Sequence, residues 1–194
     1  MKKLITAFCV LTASLLTATQ LCADSSISPT APKDVLKKDF KQITPQEIQG
    51  NVFKMVGGEW MLITAGTPEK FNSMTASWGG MGIWGKPSAF ILVHNTRHTY
   101  EFLEKENYYT LSFFDEKYRP ALREIFGRKS GRDLDKAKEA GLTGIECEPS
   151  GVAYAEAKLI IVCKKTFSVM TTNNEPPNGH KLYFGEIVSV WERK

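Results

Sequence analysis

Residues 72–95 read NSMTASWGGMGIWGKPSAFILVHN. Trp78 and Trp84 flank a glycine-rich turn, with small hydroxylated residues before it and an almost wholly apolar run after it. Core tryptophans usually sit among branched aliphatics. Here Thr75, Ser77 and Trp78 lead directly into Gly79 and Gly80. Glycine lets a flat ligand come close to the main chain, whose N–H and C=O groups can read a heteroaromatic edge. The same composition also suits a tight barrel corner with a packed indole, and composition leaves both open. The run SAFILVHN reads as a strand buried on both faces.

Outward from this stretch the chain is rich in strands. EWMLITAG precedes it, YYTLSFF follows it, and the last third is strand-like: VAYAEAKLIIVCKKTFSVMTT, a turn-rich NNEPPNG, then HKLYFGEIVSVWE. Helical signals are fewer. In TPQEIQGNVFKMVGG, Thr44 caps, Pro45 takes the first helical position, Glu47 completes a capping box, and Gly57 and Gly58 end the helix. TYEFLEKEN reads as a short helix. Asp115 caps EKYRPALREIFG, where Pro120 is tolerated near the first turn, and DLDKAKEAG closes at Gly141. Strands outnumber helices and do not alternate with them. The expected class is mainly β, an antiparallel barrel with peripheral helices, rather than a doubly wound sheet.

The ends bound the domain. Lys2, Lys3, an apolar run from Leu4 to Leu16 and small residues near Ala23 have the layout of a secretory signal peptide, too short an apolar run for a membrane span. A lipid anchor at Cys22 fits less well, because Gln20 and Leu21 are larger than such signals prefer. The expected organisation is signal peptide 1–23, a polar, extended linker 24–41, and one domain 42–194. The protein is expected to be exported, to the periplasm. Losing Lys2 and Lys3 lowers the net charge from +4 to +2, too near neutral for a nucleic-acid binder. Of the two cysteines left, Cys163 in KLIIVCKK reads as a buried strand residue, and nothing in the sequence fixes its distance to Cys147.

Three segments could carry chemistry. The first is the opening stretch. In the second, HNTRHTYEF, a strand ends and a helix begins, and Thr96, Arg97 and Thr99 meet at the helix N-terminus. Free N–H groups, hydroxyls and a guanidinium there suit a phosphate, although without further support an ordinary cap with a solvated arginine is the first reading of these residues. His94 and His98 straddle the switch from strand to helix, which removes the helical spacing that a metal pair needs. In the third, GRKSGRDLDKA, Arg128, Lys129 and Arg132 flank Ser130 and Gly131, as an anion contact, a lid or a charged surface loop. The sequence shows no nucleophile elbow, paired cysteine ligand set or phosphate-binding loop.

Taken in order, NSMTASWGG, KPSAFILVHNTRHTYEFL, YYTLSFFDEKYRPAL, SGRDLDKAKEAGLT, AEAKLIIVCKK and HKLYFGEIV resemble the flavin reductase-like family of FMN-binding split barrels, related to flavoredoxin, over about residues 42–192. The resemblance implies a six-stranded antiparallel split barrel, a homodimer, and FMN near the subunit interface. It implies that Met74, Thr75, Ala76, Ser77 and Trp78 run along the isoalloxazine ring. Arg97, Thr99 and Tyr100 would hold the phosphate and ribityl chain, Ser130 and Arg132 would close over the site, and His180 would lie near the flavin or nicotinamide as the catalytic candidate. The family's Gly-Asp-His before the last strand is here NGHKLYF, with no acid before His180. The function implied is an exported FMN-dependent oxidoreductase whose electron donor is NAD(P)H or a redox protein. The competing readings are a non-catalytic electron carrier and an exported split-barrel module for another planar ligand.

Overall fold

The computed structural model describes residues 34–171 and 179–194. The signal-peptide cleavage near Ala23, the anchor at Cys22 and most of the NNEPPNG turn lie outside the described residues. In chain order the strands are β1 (Phe40–Ile43), β2 (Met61–Thr67), β3 (Lys70–Ala76), β4 (Gly79–Trp84), β5 (Lys86–His94), β6 (Tyr108–Phe113), β7 (Gly144–Glu146), β8 (Val152–Tyr154), β9 (Leu159–Met170) and β10 (His180–Arg193). The helices are α1 (Val35–Asp39), α2 (His98–Lys105), α3 (Arg119–Ala121) and α4 (Lys136–Ala140).

The main sheet runs β3-β2-β6-β9-β10-β5-β4, with β1 added to β10, and its pairings are antiparallel. It has eight strands among the described residues, where the resemblance implied six; the mainly β, antiparallel class stands. β10 changes neighbour partway along. Its residues 180–186 pair with β5, and residues 190–193 pair with β1. The opposite edge of β10 follows β9 from Lys181 to Glu192.

Apolar side chains fill both faces of the central strands. On β9, Ile161 and Cys163 join one core, while Ile160 and Val162 join the other with Phe126, Tyr154 and Trp191. This two-sided burial is why these strands read as continuous apolar runs. β5 is different. Ala89, Ile91 and Val93 are buried, but Phe90 and Leu92 stay half-exposed, so one of its faces is covered less than the sequence implied.

Local expectations fail at two places. The helix expected across residues 44–58 is broken. Glu47 accepts the Thr44 amide at 2.6 Å and its hydroxyl at 2.8 Å, but only a 3₁₀ turn, Pro45–Glu47, follows. Gly50 at φ +113° interrupts it, and a π-helical turn, Lys54–Glu59, takes in Gly57 and Gly58 rather than stopping at them. The stretch read as an extended linker to residue 41 is helical at Val35–Asp39, because Leu36 and Phe40 are buried with Trp191 and Ile145 in one core. The helical stretch after Asp115 forms as a 3₁₀ turn, α3 and a π turn (Leu122–Phe126). Cys147 and Cys163 are both buried and unbridged.

Gly66 tests the β2–β3 turn. It holds φ +129°, and a Cβ there would lie 2.3 Å from the Lys70 carbonyl oxygen. Gly66→Ala should cost about 3 kcal/mol through backbone strain and steric overlap. Thermal unfolding should show a midpoint lower by roughly 10 °C.

Candidate functional site

The site is built on the outer half of β3 and the two segments that dock against it. Asn72 donates from Nδ2 to Thr99 Oγ1 at 2.7 Å, tying β3 to the first turn of α2. Thr99 is buried and acts there as acceptor, so its hydroxyl proton remains available to a ligand. Thr75 Oγ1 donates to the Leu122 carbonyl at 2.6 Å, which fixes the π turn over the end of β3. From that turn the chain runs through Gly127–Arg132 across the N-terminus of α2. Gly131 is needed at the crossing, since a Cβ would stand 1.9 Å from Asn72 Oδ1. Arg132 holds the segment down through an ion pair to Glu101 and a 3.4 Å bond to the Thr96 carbonyl.

These segments enclose a cleft of about 190 Å³, lined by Asn72, Thr75, Arg97, Thr99, Ser130 and Lys136 among others. It is strongly cationic, and most of its cations are already paired. Arg128 meets Glu124 at 2.7 Å, Lys129 meets Glu139 at 2.7 Å, and Arg132 meets Glu101. Glu101 is held below the usual carboxylate range, chiefly by its hydrogen bond from Arg132. Arg97 and Lys136 have no carboxylate partner among the described residues. Lys136 is only 7% exposed and donates to the Ser73 and Phe126 carbonyls, each at 3.1 Å. An ammonium has three donors, so one N–H remains. Burial first, and then Arg97, pushes the Lys136 amine down to about 8. Two unneutralised cations, a hydroxyl and a helix N-terminus form a place for a compact anion.

A second cleft of about 250 Å³ continues from the first past Thr75, Ala76 and Ser77, against Trp60 and Arg123. Beyond it Trp78 is 57% exposed and lies against the His180 ring, with centroids 4.7 Å apart. His180 also meets His94 at 4.9 Å. A larger cleft of about 520 Å³ lies elsewhere, beside Lys54, Glu59 and Lys158. Lys158 and Glu192 in its lining are paired, with Glu59 at 2.7 Å and Lys41 at 2.8 Å, and among the described residues it holds no buried cation like Lys136.

The flavin reductase like domain matches residues 53–194. The chain belongs to the flavin reductase-like family. Solved structures agree on the fold. An FMN-binding domain of a flavin reductase-like enzyme from Shewanella baltica OS155 superposes with a TM-score of 0.63 at 16% identity, covering 80% of this chain and 78% of that chain. Flavoredoxin of Desulfovibrio vulgaris (Miyazaki F) gives 0.61 at 22% identity, covering 70% and 69%. An FMN-binding protein from Thermus thermophilus gives 0.61 at 19% identity, covering 77% and 80%. No curated protein matches the sequence. At these identities the likeness to solved structures speaks for the split barrel alone.

Within this split barrel, Thr75, Arg97, Thr99, Ser130 and Arg132 come together in the anion cleft, and Thr75, Ala76 and Ser77 line the adjoining one. Trp78 and His180 meet each other just outside. Tyr100 points elsewhere, with its ring 6.2 Å from Tyr183 and Lys181 Nζ 5.9 Å from its centroid. Sequence reasoning missed Asn72 and Lys136. A lysine in the first turn of DKAKEAG reads as solvated; its only signal is Asp135, whose side chain caps α4 through the Lys138 amide at 3.1 Å and so sets where Lys136 falls.

Lys136 makes the cleft costly in the ligand-free protein. Its pKa falls from about 10.4 in the unfolded chain to about 8 when folded, so the penalty is full below pH 8 and is relieved as pH rises toward 10. Urea unfolding should therefore show the wild type gaining about 1.5 kcal/mol between pH 8 and 9.5 relative to Lys136→Met. A pH-independent difference between the two would remove the buried ammonium.

Proposed function

We propose that this chain binds FMN and works as an oxidoreductase of the flavin reductase type, with the phosphate between Arg97 and Lys136. The observation that carries the reading is the pair of cations without carboxylates, in a cleft that opens directly onto the Thr75–Ser77 main chain. Arg97 and Lys136 would supply charge, Thr99 a hydroxyl donor, and the first amides of α2 the remaining bonds. The Gly127–Arg132 segment would shield the phosphate from water, with Arg132 acting through Glu101 and Ser130 through the Arg132 amide, which its Oγ accepts at 3.2 Å. The flat ring would lie along Thr75, Ala76 and Ser77, where small side chains leave it room. Tyr100 is not part of this arrangement. Bound flavin supplies the electron-transfer chemistry itself, and the protein supplies binding, orientation and electrostatics.

The reading extends to a homodimer and to export. Ile83 and Trp84 are 73% and 64% exposed. Trp84 packs edge-on against Phe167 and Phe184, whose rings stack at 5.1 Å. Such a contiguous apolar patch on β4, β9 and β10 suits a second copy of the chain. Sedimentation should give a dimer, and Trp84→Lys should shift it to monomer. The N-terminal pattern of Lys2, Lys3 and Leu4–Leu16 supports export, with NAD(P)H or a redox protein as donor.

Purified protein should show a flavin absorption band or take up added FMN; a colourless chain that ignores FMN would sink the reading. Arg97→Ala removes a charge-assisted contact worth about 1.5–3 kcal/mol, so FMN affinity should fall roughly ten- to a hundredfold while riboflavin, lacking the phosphate, is spared. Equal losses for both flavins would take Arg97 out of the site. A phosphate beside Lys136 raises its proton affinity again. FMN binding should then weaken by up to about tenfold per pH unit above pH 8, and riboflavin binding should not.

A further inference from the structure

Three aromatic side chains from separate parts of the chain meet beyond the ring end of the cleft. His94 ends β5, His180 begins β10, and the two are direct partners in the ladder. Their rings stand 4.9 Å apart at 78°, and the His180 ring lies 4.7 Å from Trp78 at 40°. The two residues are held differently. His94 Nδ1 is 3.3 Å from the Thr96 amide nitrogen and 2.8 Å from Thr96 Oγ1. A backbone N–H can only donate, so Nδ1 accepts and the neutral ring carries its proton on Nε2. His180 is fixed through its backbone. Its carbonyl accepts from the Thr171 amide and hydroxyl, both at 3.0 Å, and the neighbouring Gly179 carbonyl accepts from the Asn95 amide at 3.0 Å.

We propose that His94 is a positioning residue: it holds the His180 ring against Trp78 and, as half of a pair that accepts one proton between them, keeps that ring neutral. Two imidazolium rings at this separation repel, so a proton on one opposes a proton on the other. Among the described residues, the other groups facing the pair do not offset this. Arg97 adds positive charge, Thr96 and Thr171 are uncharged, and Trp78 offers a ring. Neither imidazole has a carboxylate partner among the described residues. Burial first, then His94, then Arg97 lowers the proton affinity of His180. Any part this plays beside a flavin ring rests on the flavin reading above. The proton pairing does not, and its test uses the flavin-free full chain.

A protonated imidazole against an indole quenches its fluorescence, so Trp78 reports on its neighbour. Trp78 emission is taken as the difference between wild type and Trp78→Phe and followed from pH 8 down to pH 4.5. The expected result is quenching with a midpoint below the ordinary imidazole value of about 6.5. In His94→Gln, which keeps an acceptor for the Thr96 amide, that midpoint should rise. The same rise is expected in His94→Phe, which keeps an uncharged ring over His180, whereas a role through burial alone would leave the midpoint in place there. An unchanged midpoint in a folded His94→Gln overturns the proposal. Imidazole NMR on the wild type gives an independent measurement, with signals assigned through His180→Gln. Two protonation steps separated by more than about one pH unit support the pair, and two overlapping, independent steps overturn it.

Discussion

β10 is the constraint on which the rest of the molecule hangs. Fourteen residues long, it is bonded on one edge to β9, and on the other it passes from β5 to β1. A strand hydrogen-bonded on both edges leaves no free ladder groups along those stretches, so its register fixes that of its neighbours. Pairing His180 with His94 sets where β5 ends, and therefore where Thr96, Arg97 and α2 begin. The register slips twice along the β9 side, at Phe184/Gly185 and Ile187/Ser189. Tyr109 sits against the first slip: its hydroxyl donates to the Ala89 carbonyl at 3.1 Å, and a Cβ on Gly185 would come within 2.8 Å of that hydroxyl oxygen. Such irregularities let a long strand bend, which a barrel divided between two partners requires.

The cleft gathers five cations, and they are held in different ways. Three of its cations are spent on carboxylates at its rim, where exposed pairs contribute little to stability but set the shape of the crossing segment. The two that are left unpaired differ. Arg97 is exposed and costs little. Lys136 is buried and is held only by two carbonyls, a poor exchange for water that lowers its proton affinity. A buried ammonium held only by carbonyls lowers stability, and such a cost is commonly found where a charged ligand is to be held.

The apolar surface has a similar logic. β5 buries one face fully and the other by half, and the exposed Ile83 and Trp84 extend from its hairpin with β4. Phe167 and Phe184 stack beside Trp84, although each is only partly covered.

Much of the fold was legible in the sequence because strands declare themselves locally. β-branched and aromatic runs, a capping box at Thr44, and Gly141, at φ +64° as the cap of α4, each mark a boundary by their own chemistry. The residues gathered in the cleft, Thr75, Arg97, Thr99, Ser130 and Arg132, were identified by their order along the chain and their resemblance to a known family. The misses have a common cause. Gly50 breaks a helix that its neighbours favour, Leu36 and Phe40 are drawn into a core by distant partners, and Tyr100 turns toward Tyr183 rather than the cleft. Lys136 shows the reason most plainly. In sequence it is an unremarkable lysine at a helix start, and its burial and unpaired charge exist only because Phe126, Ser73 and Arg97 close around it. Local composition decides which elements form; which charges lose their water is decided by residues far away in the chain, because desolvation depends on everything that packs nearby.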